Sequence, residues 1–274
     1  MKRKINFNKD VIKRLQDYIH HQEPEAAVEA PAPMLPGLHV YALTDVGKVR
    51  AANQDAVVVD EGMLLYGVAD GMGGHNGGET ASAGARDGLI AALADKTPSL
   101  DALREGITQV NAELFKQQAE DERLSGMGTT LSVIWMSEHF AYLGHVGDSR
   151  VYRFREGKLE QMTDDHSLVG ELVRAGYLTP EQAENHPNKN VILRAVGTEE
   201  GIDVDLAVEE RKAGDLWLIC SDGLHGMVSD SKMEAILSVN TPESAVKLLM
   251  DAALAAGGRD NISVVLVADG EVAR

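Results

Sequence analysis

Short apolar runs, separated by glycine and acidic residues, follow one another from residue 38 onwards. They predict β-strands, because each run has strand length and ends at turn-forming residues. The predicted strands are "HVYALTD" (39–45), "DAVVVDEG" (55–62), "MLLYGVAD" (63–70), "TTLSVIWM" (129–136), "HFAYLGHVG" (139–147), "VYRFREGKLEQM" (151–162), "DVDLAVE" (203–209), "DLWLICSD" (215–222) and "NISVVLVAD" (261–269). The run at 151–162 predicts a hairpin that turns at "REGK".

Helical periodicity occupies three other stretches. Residues 79–95 and 99–124 predict two consecutive helices, and Leu103, Ile107, Val110 and Leu114 give the second an apolar stripe. Residues 241–256 predict a third helix, opened by "TPES". Strands therefore come in runs, with helices between the runs. This order favours an α+β fold, in which helices cover antiparallel sheets, over a doubly wound parallel sheet.

The first 37 residues differ from the rest of the chain. Residues 1–21 form a basic arm with an apolar stripe at helical spacing, and residues 22–37 read as a Pro/Ala/Glu-rich linker. A weakly ordered tail and a helix that docks on another protein are the main interpretations of the arm. A membrane-surface helix is a weaker one, because the apolar stripe is short and lacks Trp. Residues 38–274 are expected to form the folded body of the chain, as one domain.

Composition limits the partners and the compartment. The 274 residues carry a net charge of −17, from 43 acidic and 26 basic side chains, which argues against nucleic acid and suits a protein that collects cations. The single cysteine, Cys220, excludes an internal disulfide and fits a reducing cytoplasm. No apolar stretch reaches the length of a transmembrane segment, and no signal peptide is evident, so we expect a cytoplasmic protein.

Aspartates stand at the ends of several predicted strands. The residues concerned are Asp55, Asp70, Asp148, Asp222 and Asp260. If these strand ends meet at one edge, the carboxylates would repel one another and pay for desolvation, and hard divalent cations such as Mg²⁺ or Mn²⁺ would relieve both costs. Gly71 could then offer its carbonyl to a metal. Any one of these aspartates, taken alone, is more typical of a turn.

Three competing motifs are excluded. The glycine-rich loop "GVADGMGGHNGGE" (67–79) lacks the "GK[ST]" of a P-loop, and Asn76 stands where a dinucleotide-binding fingerprint needs glycine. A thiol phosphatase would need an arginine six residues after Cys220, where Gly226 stands. Cys220 is therefore interpreted as a small core residue.

Seven motifs, in this order, resemble those of the metal-dependent Ser/Thr protein phosphatases of the PPM (2C-type) family, specifically its bacterial branch. They are "RAANQD" (50–55), "GVADGMGGH" (67–75), "SGMGTTL" (125–131), "GHVGDSRVY" (144–152), "TDDHS" (163–167), "ICSDGL" (219–224) and "GGRDNISVV" (257–265). The resemblance covers about residues 38–269. It implies a β-sandwich of two antiparallel sheets flanked by helix pairs, with a binuclear metal centre at one end.

The resemblance also implies roles for individual residues. Asp70 would bridge two Mn²⁺ or Mg²⁺ ions, the Gly71 carbonyl would bind one of them, and Asp222 and Asp260 would bind the other. Asp55 would hold a metal-bound water, and Arg50 would bind the substrate phosphate. Asp148 and Asp222 would share a third, weaker ion. Many eukaryotic members carry a general-acid histidine where Met72 stands, so His75 is considered as a substitute, or as a brace of the loop.

The implied activity is hydrolysis of phosphoserine and phosphothreonine on proteins by a metal-activated water, in opposition to a bacterial Ser/Thr kinase. Residues 166–197 correspond to the variable flap of the family and are expected to govern substrate choice. Two alternatives stay open: a catalytically silent PPM-like binding module, and a metal-dependent hydrolase of small phosphate esters. The arm at 1–21 could recruit a partner or fold back over the active site.

Overall fold

The computed structural model describes residues 37–73 and 77–270. The predicted arm, the linker up to residue 36, and His75 lie outside the described residues. In the described part, no helix is long and apolar enough to cross a membrane.

Eleven strands of the described chain form two antiparallel sheets. Their bounds are β1 Leu38–Asp45, β2 Asp55–Asp60, β3 Leu65–Met72, β4 Gly128–Thr129, β5 Leu131–Met136, β6 Phe140–Val146, β7 Arg150–Arg155, β8 Lys158–Gln161, β9 Asp205–Glu210, β10 Leu216–Cys220 and β11 Ile262–Asp269. One sheet has the order β1-β11-β10-β7-β8. The other has the order β2-β3-β5-β6-β9, and the short β4 pairs with β3.

Two helix pairs lie on the outer faces of the sheets, and three short helices lie outside these pairs. Their bounds are α1 Gly77–Leu93, α2 Leu100–Glu120, α3 Leu168–Arg174, α4 Pro180–Glu184, α5 Asp222–His225, α6 Asp230–Val239 and α7 Pro242–Ala255. The pair α1/α2 packs on the sheet that contains β3, and the pair α6/α7 packs on the sheet that contains β11. The predicted α+β sandwich of two antiparallel sheets between helix pairs is therefore confirmed.

Strand β11 shows why some strands are apolar along their whole length. Val264, Leu266 and Ala268 face the helices α6 and α7, whereas Val265 and Val267 face the other sheet. Successive side chains of a strand point to opposite faces, so a strand buried on both faces needs apolar residues at every position. The two sheets thus enclose one apolar layer, and each helix pair encloses another.

The predicted strands match the observed ones closely, and the hairpin at "REGK" is confirmed by the pairing of β7 with β8. The predicted helices at 79–95, 99–124 and 241–256 correspond to α1, α2 and α7, with ends that differ by a few residues. The remaining helices α3 to α6 were not predicted. Three of them have seven residues or fewer, too short for apolar periodicity to stand out.

Candidate functional site

The strand pairings bring the predicted aspartates to one edge of the sandwich. Asp55 is paired with Asp70 in the register of β2 and β3. Asp222 directly follows Ser221 at the end of β10, and Asp260 precedes β11, which is antiparallel to β10. Asp148 lies between β6 and β7. The first residue of β7, Arg150, is paired with Cys220, the last residue of β10, so Asp148 lies at the same edge as Asp222. Each carboxylate therefore stands where its strand begins or ends at the same edge.

A cavity of about 300 Å³ opens at this edge. Six of the eight predicted site residues line it: Arg50, Asp70, Gly71, Asp148, Asp222 and Asp260. Gln54, Met72, Gly73, Asn190, Ile192 and Asn261 complete the lining. Asn190 and Ile192 come from the segment predicted as a flap, which thus forms one wall. Asp55 does not line the cavity, and His75 lies outside the described residues.

Three carboxylates that line the cavity, those of Asp70, Asp148 and Asp222, lie close to like charges, so their charged forms are disfavoured. Burial raises the pKa of Asp148 to about 8, and the charge of Asp222 adds to the effect. Burial and the charge of Asp260 raise the pKa of Asp222 to about 6. The pKa of Asp70 lies well above its ordinary value, because burial disfavours its charge and the charges of Asp55 and the other carboxylates add to the effect.

Arg50 is the positively charged side chain among the residues that line the cavity. Its Nη2 donates to Asp260 Oδ2 at 2.6 Å, and its side chain is 52% exposed. The other oxygen of Asp260 accepts from the backbone N–H of Asn261 at 2.8 Å. One arginine cannot balance the surrounding aspartates, and its exposure leaves the guanidinium free to turn towards a ligand in the cavity.

Asp55 does not line the cavity, and its carboxylate is held by Ser221, which follows β10 in the opposite sheet. Ser221 Oγ donates to Asp55 Oδ2 at 2.8 Å, whereas Asp55 Oδ1 is buried without a hydrogen-bond partner. Burial raises the pKa of Asp55 to about 6, although the hydroxyls of Ser263 and Ser221 act in the opposite direction. A buried oxygen without a donor is an acceptor site for water or a cation.

Gly71 has to be glycine because the backbone packs against it from two sides. A Cβ at this position would collide with the carbonyl oxygens of Gly78 and of Gln54. The Gly71 N–H also donates to the Gln54 carbonyl at 3.1 Å. The absence of a side chain thus lets the backbone of Gly71 and the chain around Gln54 approach each other at the wall of the cavity.

The chemistry of this site fits divalent cations of the hard class. Its donors are carboxylate oxygens and a backbone carbonyl, and it concentrates more negative charge than the protein itself neutralises. Among the described residues, however, no group of three or more His, Cys, Asp and Glu side chains has the geometry to hold an ion. One reason for the lack of such a group is that the Asp260 carboxylate is hydrogen-bonded to Arg50. The types of donor present therefore fit a hard divalent cation.

Asn261 is a site residue that the sequence reasoning missed. Its Oδ1 accepts from Gln54 N at 2.8 Å, and its Nδ2 donates to the carbonyls of Val46 and Ala52 at 3.0 and 2.9 Å. The amide thus holds the loop that carries Arg50 against the strand that follows Asp260. Its position beside Asp260 in "GGRDNISVV" was the available signal.

Comparison with known proteins agrees with this geometry. The family model described as protein phosphatase 2C matches residues 48–257. The chain belongs to this family. It is 40% identical over 240 residues to the serine/threonine phosphatase stp of Listeria monocytogenes, an alignment that covers 84% of this chain and 95% of the relative.

Solved structures of family members share the fold. Phosphatase Stp1 of Staphylococcus aureus matches with a TM-score of 0.81 and 32% identity, over 89% of this chain and all of that one (100%). The catalytic domain of the phosphatase PstP, solved in complex with two manganese ions, matches with a TM-score of 0.78 and 36% identity. That match covers 85% of this chain and 99% of the PstP chain. The resemblance noted in the sequence motifs is therefore confirmed for the family and for the fold.

Proposed function

We propose that this chain is a metal-dependent protein serine/threonine phosphatase of bacterial type, which hydrolyses phosphoserine and phosphothreonine in the cytoplasm. The observation that carries the proposal is the meeting of four aspartates, the Gly71 backbone and Arg50 in one cavity. Relatives that align over most of their length are named as serine/threonine phosphatases, which supports the same reaction. The protein substrates would be those of a cognate Ser/Thr kinase.

The cavity residues divide into cation ligands and a phosphate ligand. Asp70, Asp222 and Asp260 with the Gly71 carbonyl would hold two Mn²⁺ or Mg²⁺ ions, and Asp148 with Asp222 would hold a third, weaker one. When bound, these cations would acidify a water molecule, so that it supplies the nucleophile, and would offset the charge of the phosphate. The manganese ions of the PstP structure support this choice of cofactor.

The other residues would orient the reactants. Arg50 would turn from Asp260 and donate two hydrogen bonds to phosphate oxygens, because a guanidinium matches that geometry. Asp55, with one oxygen fixed by Ser221, would hold a water through its other oxygen. His75 stays a candidate for the proton donor to the leaving group, or for a brace of the loop.

The decisive test is hydrolysis of a phosphothreonine peptide by the purified full-length chain. We expect turnover in Mn²⁺, complete loss after chelation with EDTA, and recovery when Mn²⁺ is added in excess. A phosphotyrosine peptide and a sugar phosphate serve as controls for specificity. A folded protein without turnover in Mn²⁺ would favour the silent binding module. Hydrolysis of the sugar phosphate in clear preference to the peptide would favour a hydrolase of small esters.

The arm at 1–21 is proposed to recruit a substrate or partner, and the linker at 22–37 to connect it to the catalytic domain. The family match begins only at residue 48, and the first described contact of the body is the hydrogen bond from Gly270 N to the Gly37 carbonyl. The charge of the arm is opposite to that of the acidic body, so docking on the body is the competing interpretation.

Deletion of residues 1–36 distinguishes the two roles of the arm. For recruitment we expect unchanged kcat/KM for p-nitrophenyl phosphate and lower kcat/KM for the cognate phosphoprotein, because the local concentration of that substrate falls. Faster ester turnover would instead indicate that the arm shades the active site. Loss of ester turnover in a folded truncated protein would contradict both roles.

A further inference from the structure

Two consecutive residues of the motif "TDDHS" contact the chain on both sides of Asp148. The carboxylate of Asp165 accepts two hydrogen bonds from Arg150, from Nε at 2.9 Å and from Nη2 at 2.7 Å. The backbone N–H of His166 donates to the Gly147 carbonyl at 2.7 Å. The Gly147 N–H donates back to His166 Nδ1 at 3.0 Å. Asp148 is thus bracketed by contacts at the residue before it and at the second residue after it.

The ring of His166 has a defined orientation and tautomer. Because Nδ1 accepts the hydrogen of Gly147, the ring proton is assigned to Nε2, which lies 3.1 Å from Asp205 Oδ2 and 3.1 Å from Arg194 Nη1. Arg194 Nη1 donates to the other oxygen of Asp205 at 2.8 Å. Asp205 is the first residue of β9, so the ring is aligned by a residue of the sheet itself.

The same bracket connects Asp148 to the wall of the cavity. The Leu193 N–H donates to the His166 carbonyl at 2.7 Å, and Ser167 forms an antiparallel bridge with Ile192. Ile192 lines the cavity. His166 therefore contacts both the Gly147 backbone and the segment that forms one wall of the cavity.

The position of Asp148 requires such support. Gly147 has a φ of +111°, a conformation that is open to glycine but rarely to L side chains; because glycine also adopts other conformations freely, contacts from outside the turn are needed to hold this one. The Asp148 carboxylate is 6% exposed, and the His166 ring is 4% exposed. Hydrogen bonds in such a buried site are not weakened by competing water.

We propose that Asp165 and His166 are positioning residues, which fix Asp148 in the orientation that binds a divalent cation and join it to the cavity wall formed by residues 190–193. This inference rests on the proposed function, because it assigns a cation to Asp148. Neither residue lines the cavity. His166 acts through the backbone of Gly147, and Asp165 acts through the side chain of Arg150.

The experiment compares Mn²⁺ binding by isothermal titration calorimetry in variants of the full chain. Asp148→Asn defines the binding step to which Asp148 contributes. Asp165→Asn removes the charge and one of the two hydrogen bonds from Arg150, and His166→Leu removes the acceptor of the Gly147 N–H, whereas His166→Asn keeps an acceptor at the place of Nδ1. Asp215→Asn is the matched control, because Asp215 accepts two hydrogen bonds from Arg155 at the other end of β7, at 2.7 and 2.6 Å, far from the cavity edge.

We expect Asp165→Asn and His166→Leu to weaken the Asp148-dependent step by about tenfold to a hundredfold, the usual effect of removing a partner that orients a ligand. His166→Asn should restore most of the binding. Asp215→Asn should lower the unfolding temperature but leave the Mn²⁺ isotherm within about twofold of wild type. Combining Asp148→Asn with His166→Leu should add nothing to Asp148→Asn alone.

Three results would overturn the inference. The first is a wild-type isotherm in both Asp165→Asn and His166→Leu. The second is an equal change in Asp215→Asn, which would mean that lost stability alone explains the effect. The third is a wild-type isotherm in Asp148→Asn, which would remove Asp148 from the cation ligands but leave the core of the proposed function intact. That function fails separately, if the wild-type chain neither binds Mn²⁺ nor hydrolyses the phosphothreonine peptide.

Discussion

Replacing Asp70 by asparagine is expected to abolish hydrolysis while the fold persists. Asp70 faces the charges of Asp55, Asp222, Asp148 and Asp260, so it is the carboxylate best placed to hold cations shared with the others. Loss of a ligand that serves two cations should remove at least ~4 kcal/mol of transition-state stabilisation, or about a thousandfold in kcat/KM. The measurement is turnover of p-nitrophenyl phosphate at saturating Mn²⁺.

The same substitution should raise the stability of the metal-free protein. Asparagine keeps the shape of Asp70 and removes a buried charge among like charges, so the EDTA-treated variant should unfold at a higher temperature than EDTA-treated wild type. The increase in unfolding temperature on adding Mn²⁺ should be large for wild type and small for the variant. These opposite shifts distinguish a lost ligand from a damaged fold.

Asp60→Asn is the matched control. Asp60 lies at the far end of β2, opposite Leu65 of β3, and its Oδ1 accepts from the Met63 N–H at 2.8 Å. An asparagine oxygen can accept the same bond, so activity and the response to Mn²⁺ should equal those of wild type. Near wild-type turnover in Asp70→Asn would make the assignment of the cation site wrong.

The sequence predicted the ends of the strands better than the connections between them. An apolar run that ends at Asp70 or Asp222 is visible by eye, because alternation and turn residues are local properties. Helix α6 also carried a local signal that was overlooked: Met233 and Leu237, four residues apart, form its buried face. The capping box at the start of α4, between Thr179 and Gln182, was another such signal.

Contacts between distant segments could not be predicted in this way. Arg150 and Asp165 are 15 residues apart, and Asn261 lies more than 200 residues from the Gln54 backbone that it holds. Nothing in the local pattern of either partner specifies the other, because the pairing follows from the packing of the two sheets. The motif "TDDHS" was recognised as a string, but the contacts of its residues became visible only in the folded chain.

Replacing Arg50 by alanine is expected to weaken phosphate binding far more than it slows the chemical step. The loss of a charge-assisted, two-pronged contact is worth about 1.5–3 kcal/mol, so KM and the inhibition constant of inorganic phosphate should each rise by about tenfold to a hundredfold. Arg50→Lys should fall between wild type and Arg50→Ala, because lysine keeps the charge without the planar fork. Arg86→Ala, which breaks an exposed pair with Asp87 on α1, is the control for loss of a surface arginine.

The hydrogen bond between Arg50 and Asp260 suggests a second role for Arg50, namely to hold Asp260 in place rather than to bind phosphate. A brace of Asp260 would change the Mn²⁺ concentration that gives half-maximal activity and leave inhibition by phosphate unchanged. A phosphate ligand would do the reverse, since the guanidinium must leave Asp260 before it can contact substrate. Measuring both constants in Arg50→Ala, at saturating Mn²⁺ for phosphate and at saturating ester for Mn²⁺, separates the two roles. Unchanged phosphate inhibition would move Arg50 from substrate binding to support of the cation site.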